Sequence, residues 1–267
     1  MYFNKYCYYR SMQTIMVYSE SGGVSKTTTA VSLAMVAAEE GQSVLLIDLD
    51  PRAATTKWTS VEPREPGLDV GAILADEDPE GWAEGIAVQS TWSPNLRVIP
   101  SSRSVSNREK DSADHLDVRL RTSLIDCSAD LVVIDCPNRQ GGPLTQSALN
   151  ASDTVIYAAK PTIDGIDGFE GARVTVQRFL ANRRRLGAPS NLHEAGIVVG
   201  GYKDTVTPRA AISSVEELRE TGLLITPLIP ERTIVQDVRL AGEWYGRYRK
   251  GGPVLDAYKE VARKVIR

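Results

Sequence analysis

The sequence predicts an α/β fold: a mainly parallel twisted sheet with helices on both faces, in a single domain. Three features carry that expectation. Short strand-like runs alternate with helix-length stretches along almost the whole chain, as in βαβ architectures. The runs are apolar throughout rather than alternating, which suits a sheet covered on both sides. No Pro/Gly/Ser linker, low-complexity tract or internal repeat interrupts the 267 residues, a length that can bury one large core.

The elements follow in order. Residues 14–18 (Thr-Ile-Met-Val-Tyr) form a β-branched, apolar strand run. Ala30, Leu33, Ala34, Ala37 and Ala38 then recur at helical spacing, one apolar face of an amphipathic helix. Residues 43–47 are a second strand ending at Asp48, 96–99 a third ending at Pro100, and 131–134 a fourth ending at Asp135. Runs at 154–157 and 196–199 complete the strand set, with helical patterns near 108–127, 144–150, 166–186, 207–221 and 254–266. The segment 59–95, rich in Pro, Gly and acid, is expected to be an insertion or a mobile lid. Residues 1–12 carry tyrosines without a sustained apolar stretch and read as an N-terminal extension, leaving 13–267 as the domain.

Bulk composition narrows the function classes. No apolar run approaches the ~18 residues that span a bilayer. Three cysteines, Cys7, Cys127 and Cys136, show no paired spacing, which argues for a reduced cytoplasmic protein without disulfides or zinc. Net charge is only −3, yet residues 173–267 hold 17 Lys+Arg against 10 Asp+Glu. That asymmetry hints at a polyanion-binding face on the C-terminal part, although solvated helix surface would give the same count.

The chemistry concentrates between the first strand and helix. Residues 20–29 read Glu-Ser-Gly-Gly-Val-Ser-Lys-Thr-Thr-Thr, a glycine turn ending in Lys-Thr at a helix start. Unpaired N–H groups and the helix dipole there favour phosphate. Lys26 would reach β/γ-phosphates and Thr27 would offer its hydroxyl to Mg²⁺. The standard pattern is broken, since Glu20 and Ser25 stand where it has glycine. Ligands of open α/β sheets bind outside the carboxyl ends of strands, where Asp48, Asp50 and Asp135 fall. Phosphoryl transfer to water needs a metal holder and a group that orients the water, and these aspartates suit those two roles.

Taken in order, Gly22-Gly23-Val24-Ser25-Lys26-Thr27-Thr28, Asp48-Leu49-Asp50-Pro51 and Asp135-Cys136-Pro137 resemble the ParA/MinD group of deviant Walker P-loop ATPases, most closely the ParA/Soj type. The similarity runs from about Gln13 to the C-terminus and includes residues 144–153, Ile229-Pro230-Glu231-Arg232 and Val238-Arg239-Leu240-Ala241. The resemblance implies a cytoplasmic, nucleoid-associated ATPase that binds ATP and Mg²⁺ and forms an ATP-dependent homodimer. Such a protein binds nonspecific double-stranded DNA and is released when a centromere-binding, ParB-type partner stimulates hydrolysis. It implies that Lys26 and the loop 22–28 hold phosphates, Thr28 supporting the α-phosphate. Thr27, Asp135 and Asp48 would serve the metal, Asp50 the water, and Pro230 the adenine. Lys203, Arg209, Arg232, Arg239, Arg247, Arg249 and Lys250 are the expected DNA contacts.

The family's second lysine, which reaches across the dimer, is Ser21 in this chain. A serine is too short and uncharged for that contact, so Arg52 or Arg139 is expected to supply the charge, because arginine forks onto phosphate oxygens. A serine at position 25 is expected only if the backbone avoids φ > 0. Three other readings stay open: a MinD-like membrane-cycling division-site regulator, a nucleotide-binding switch with negligible hydrolysis, and a metabolic ligase or iron–sulfur reductase on the same scaffold. The first would need a terminal amphipathic helix on lipid, and 256–267 reads instead as a cap on the fold. The tyrosines and Trp244 near the basic run are expected to serve packing.

Overall fold

The computed structural model describes residues 12–111, 114–188, 190–203 and 207–267. Apart from Met12, the expected N-terminal extension lies outside the described residues. In chain order the elements are β1 (Gln13–Tyr18), α1 (Lys26–Glu39), β2 (Val44–Asp48), α2 (Ala54–Trp58), α3 (Val70–Ala75), α4 (Trp82–Ile86), β3 (Val88–Gln89) and β4 (Leu96–Ile99). After a 3₁₀ stretch at Arg103–Lys110 come α5 (Leu116–Ser123), β5 (Leu131–Asp135), α6 (Gly142–Ala151), β6 (Thr154–Ala159), α7 (Ile163–Arg185), β7 (His193–Val199) and α8 (Arg209–Glu220). The chain closes with β8 (Leu224–Ile225), α9 (Ile234–Ala241), two 3₁₀ turns and α10 (Gly252–Val265).

Among the described residues one sheet of eight strands forms, in the order β3-β4-β2-β5-β1-β6-β7-β8. Every neighbouring pair is parallel except the edge pair β3–β4. Alternation along β1 divides the core into two layers. Ile15 and Val17 pack with α1 and α10, while Met16 and Tyr18 face the layer built by α3, α5, α6 and α7. The register sets Asp48 of β2 beside Asp135 of β5, and Asp135 beside Val17 of β1. The loop leaving β1 therefore starts next to both strand-end carboxylates.

Two expectations are corrected. The segment 59–95 is neither an insertion nor a lid, because Val70, Ile73, Leu74, Ala83, Ile86 and Ala87 are buried in the same cluster as Leu45 and Ile47. Its helices of five or six residues are too short to show helical periodicity. The single helix expected over 108–127 is instead the 3₁₀ stretch and α5, bounded by left-handed residues His115 (φ 60°) and Asp126 (φ 58°); residues 112–113 of it lie outside the described residues. Trp244 is fully buried, and the apolar face of α10 (Val254, Tyr258, Val261, Val265) is buried in the α1 layer. No helix among the described residues is long and apolar enough to cross a membrane.

Candidate nucleotide site

The loop from β1 to α1 opens onto a cleft of about 360 Å³. Gly22, Gly23, Ser25, Lys26, Thr27 and Thr28 form its floor, Asp50 and Arg52 one wall, and Lys160, Gly200, Gly201 and Pro230 the opposite wall. Val24 is turned into the core below the loop. Contrary to expectation, Ser25 occupies the left-handed region (φ 72°, ψ 18°), as does Gly23 (φ 72°). The serine fits because of what it meets. A Cβ built on Gly200 would lie 2.8 Å from the Ser25 Cβ and 2.7 Å from its Oγ. The glycine on the wall makes room for the serine in the loop.

The start of the loop is fixed to α7 in the same way. Glu20 N donates to Gly168 O at 3.1 Å, and Ser21 Oγ donates to Asp164 O at 2.7 Å. A Cβ on Gly168 would lie 2.5 Å from that of Ser21. Ser21 is thus turned toward α7, away from any role at a phosphate.

Lys26, only 7% exposed, donates from Nζ to Ser21 O at 2.7 Å. Burial lowers its pKa, while the nearby Asp135 and Asp50 charges oppose that shift. Its ammonium therefore sits in a dry pocket where an anion at the cleft floor would be strongly favoured. Thr27 Oγ1 and Thr55 Oγ1 both donate to Asp135 Oδ2 at 2.8 Å. The other oxygen, Oδ1, is buried without a hydrogen-bond partner. Asp48 is fully buried behind them; Oδ2 accepts from Thr56 N (2.8 Å) and Thr56 Oγ1 (2.7 Å), and Oδ1 from Asp50 N (3.2 Å). Desolvation, with each carboxylate close to another, raises the pKa of both Asp48 and Asp135. Asp50 Oδ1 accepts from Arg52 N at 2.9 Å in a tight turn.

The donor set fits magnesium and a triphosphate. A buried carboxylate oxygen lacking a donor, a threonine hydroxyl and a desolvated lysine converge at a helix start, which is what a hard cation and phosphates require. Thr27 and Asp135 are the residues that would hold the ion, and the loop with Lys26 the phosphates. Asp48 stands one layer back and fixes the segment carrying Asp50.

The remaining expected residues are dispersed. Arg52 lines the cleft, but Arg139 does not; its Nε lies 3.3 Å from Glu109 Oε1, an ion pair beside the 3₁₀ stretch. Among the expected DNA contacts, Arg232 and Arg239 line the cleft itself. Arg247 donates to Trp92 O at 3.0 Å, and Arg249 and Lys250 border a small recess shared with Arg232. Lys203 lies 3.7 Å from Glu231, and exposed Arg209 opens α8. Lys160, just past β6, escapes sequence reasoning. It lines the cleft opposite Arg52, and its ammonium has no hydrogen-bond or ion-pair partner among the described residues. Its only signal is a cation at a strand's carboxyl end.

A family model described as an AAA domain matches residues 12–186. The chain is 32% identical over 168 residues to the sporulation initiation inhibitor protein Soj of Bacillus subtilis, covering 61% of this chain and 64%, just under two thirds, of that protein. It is 25% identical over 255 residues to the chromosome-partitioning ATPase Soj of Thermus thermophilus, covering 96% of each. A variant of Cyanothece McdA solved as its ATP complex superposes with a TM-score of 0.77 at 23% identity over 95% of each chain, a likeness that shows the fold.

Proposed function

This chain belongs to the AAA-domain family, as a ParA/Soj-type member of the ParA/MinD group, and on that premise we propose that it is a Mg·ATP-dependent DNA-partition ATPase. In this reading it dimerises with ATP bound, holds DNA without sequence preference, and lets go when a ParB-type partner stimulates hydrolysis. It works in the cytoplasm on the nucleoid. The observation that carries the reading is Asp135: one oxygen shared by the hydroxyls of Thr27 and Thr55, the other buried without a donor, beside the desolvated Lys26.

The residues divide the work. Bound magnesium would draw charge from the transferring phosphoryl group. Thr27 and Asp135 orient that ion. Lys26 and the loop amides neutralise phosphate charge in a water-poor floor. Asp50, its Oδ1 engaged by Arg52 N, has its second oxygen to aim a water along the line of attack. Lys160 and Arg52, both lining the cleft, replace the charge that Ser21 lacks. The basic residues 232–250 take DNA phosphates, a sequence-blind and salt-sensitive mode. The apolar face of α10 is packed against the α1 layer, so that helix is not free to lie on lipid as the membrane-cycling alternative would require of it.

Calorimetry with Mg·ATP, followed by gel shift on plain duplex DNA with and without ATP, tests the reading. Binding heat lost in Lys26→Ala, with ATP-dependent DNA affinity that falls steeply with salt, is the expected pair of results. No binding heat, or pelleting with anionic liposomes instead of DNA binding, would overturn it.

A further inference from the structure

One element touches both the carboxylates of the cleft and the aromatic base of the C-terminal surface. α2 is only five residues long, yet its first turn carries Thr55 and Thr56 and its end carries Trp58. Thr55 shares an oxygen of Asp135 with Thr27, so a ligand that recruits Thr27 or Asp135 changes what Thr55 holds. Thr56 grips Asp48 through both its amide and its hydroxyl. At the end of the helix, Trp58 is 1% exposed and donates from Nε1 to Glu243 O at 2.9 Å. Its ring meets Trp92 edge-on at 6.1 Å and Tyr245 at 6.3 Å, and the Arg239 guanidinium lies 5.4 Å above its centroid.

We propose that Trp58 couples the nucleotide cleft to the C-terminal turn 242–250, so that a change in what Asp135 holds re-aims the basic residues of that turn. The physical ground is rigidity over a short span. A five-residue helix pinned at one end by two carboxylates, and at the other by a tightly packed indole, has little internal freedom to absorb displacement. The turn it reaches is held by matching bonds: Trp92 Nε1 donates to Gly242 O at 3.0 Å, and Trp244 Nε1 to Glu39 Oε1 at 2.8 Å. A shift of Trp58 therefore acts on Glu243 directly, within a cluster that offers few alternative packings. α9 borders the cleft on its own account, whereas 242–250 does not, so that turn is where transmission is read. The coupling rests on the proposed nucleotide reading; what the turn binds does not enter it.

The test is amide hydrogen exchange on the full chain with and without Mg·AMP-PNP, with calorimetry on the same samples. In the unaltered chain, nucleotide is expected to change exchange both in 53–60 and in 242–250. Trp58→Phe keeps a ring in place but removes the bond to Glu243; it should bind nucleotide within about twofold of the original, keep the response in 53–60 and lose it in 242–250. Trp92→Phe removes an equivalent bond to the same turn from outside α2 and should leave the response in place. A response in 242–250 that survives Trp58→Phe, or is lost equally in Trp92→Phe, overturns the coupling alone. Binding heat with no change at 242–250 in the unaltered chain does the same without reliance on a variant. No binding heat at all overturns the nucleotide reading, and the coupling with it.

Discussion

The fit between Ser25 and Gly200 can be tested as a swap. Ser25 sits at φ 72°, where a side chain costs ~1–2 kcal/mol. Replacing it with glycine removes that strain but adds ~0.5–1 kcal/mol of backbone entropy to the unfolded state, so Ser25→Gly should be neutral or slightly stabilising. Gly200→Ala is different. Its new methyl would sit 2.8 Å from the Ser25 Cβ, an atom that no rotation of the serine can move. Overpacking of that kind costs ~1–3 kcal/mol. Apart from Gly200's own chain neighbours, Ser25 contributes the only atoms within 4 Å of that position among the described residues, so the same methyl should be harmless in the Ser25→Gly background. The double variant is expected to recover the loss, with an interaction energy of ~1–3 kcal/mol in a double-mutant cycle. Urea denaturation supplies the energies, and melting should track them at ~2–4 °C per kcal/mol for a chain near this size. Nucleotide affinity should follow the same order, because the methyl displaces the floor of the cleft. If Gly200→Ala costs as much in the Ser25→Gly background as in the original chain, the argument from close approach is wrong.

Further outcomes follow from the same geometry. Lys160→Ala and Arg52→Ala should each lower ATP turnover measured with DNA and partner present, the pair together by as much as ~10³-fold, while Arg139→Ala, drawn toward Glu109, should leave it near the original; normal turnover in the Lys160/Arg52 double variant would refute the assignment. Burial, with the Asp135 carboxylate alongside, raises the Asp48 carboxyl well above the ordinary carboxylate range, so from ~4, its unfolded value, up through that raised value the folded state binds more protons and stability falls as pH rises. Asp48→Asn should flatten that slope in urea titrations of the nucleotide-free protein, and an unchanged slope would show the burial cost lies elsewhere. Arg249→Ala and Lys250→Ala should weaken duplex binding equally for unrelated sequences and lower the slope of log K against log salt by ~0.9 for each phosphate no longer neutralised. A sequence-dependent loss would contradict backbone-only recognition.

What can be read from sequence follows from how chemistry imposes pattern. The loop 22–28, Asp50 and Asp135 stand out in the sequence because phosphate and metal sites in general fix residue types at strand ends, where the apolar runs already locate them; what the structure bears out is their placement around the β1–α1 loop. Lys160 is not, because a single cation after a strand carries no spacing signal; only the cleft shows that it borders the same space as Arg52. α2, α3 and α4 stay hidden in 59–95 and just before it because five or six residues never complete the repeat by which a helix is recognised. β8, of two residues, escapes for the same reason. The conformation of Ser25 cannot be inferred from its neighbours in sequence, since what permits it is Gly200, on the far side of the sheet's central strands in chain order.

The two departures in the loop then have one physical description. Both serines stand against a glycine on a neighbouring element, Ser21 against Gly168 of α7 and Ser25 against Gly200 after β7. At Ser25 the side chain added to the loop meets a wall position that carries none. At Ser21, where the family has the larger lysine, the shorter side chain lies against the Gly168 backbone, so the cradle keeps its shape while its charge changes. Shape and charge are thereby separated. The floor that would receive phosphates depends on backbone amides and Lys26, which these substitutions leave in place. The cation expected at position 21 is absent, and two of the cations that line the cleft, Lys160 and Arg52, follow the ends of two other strands. On the proposed reading, binding and turnover would rest on different residues, and a defect in one need not appear in the other.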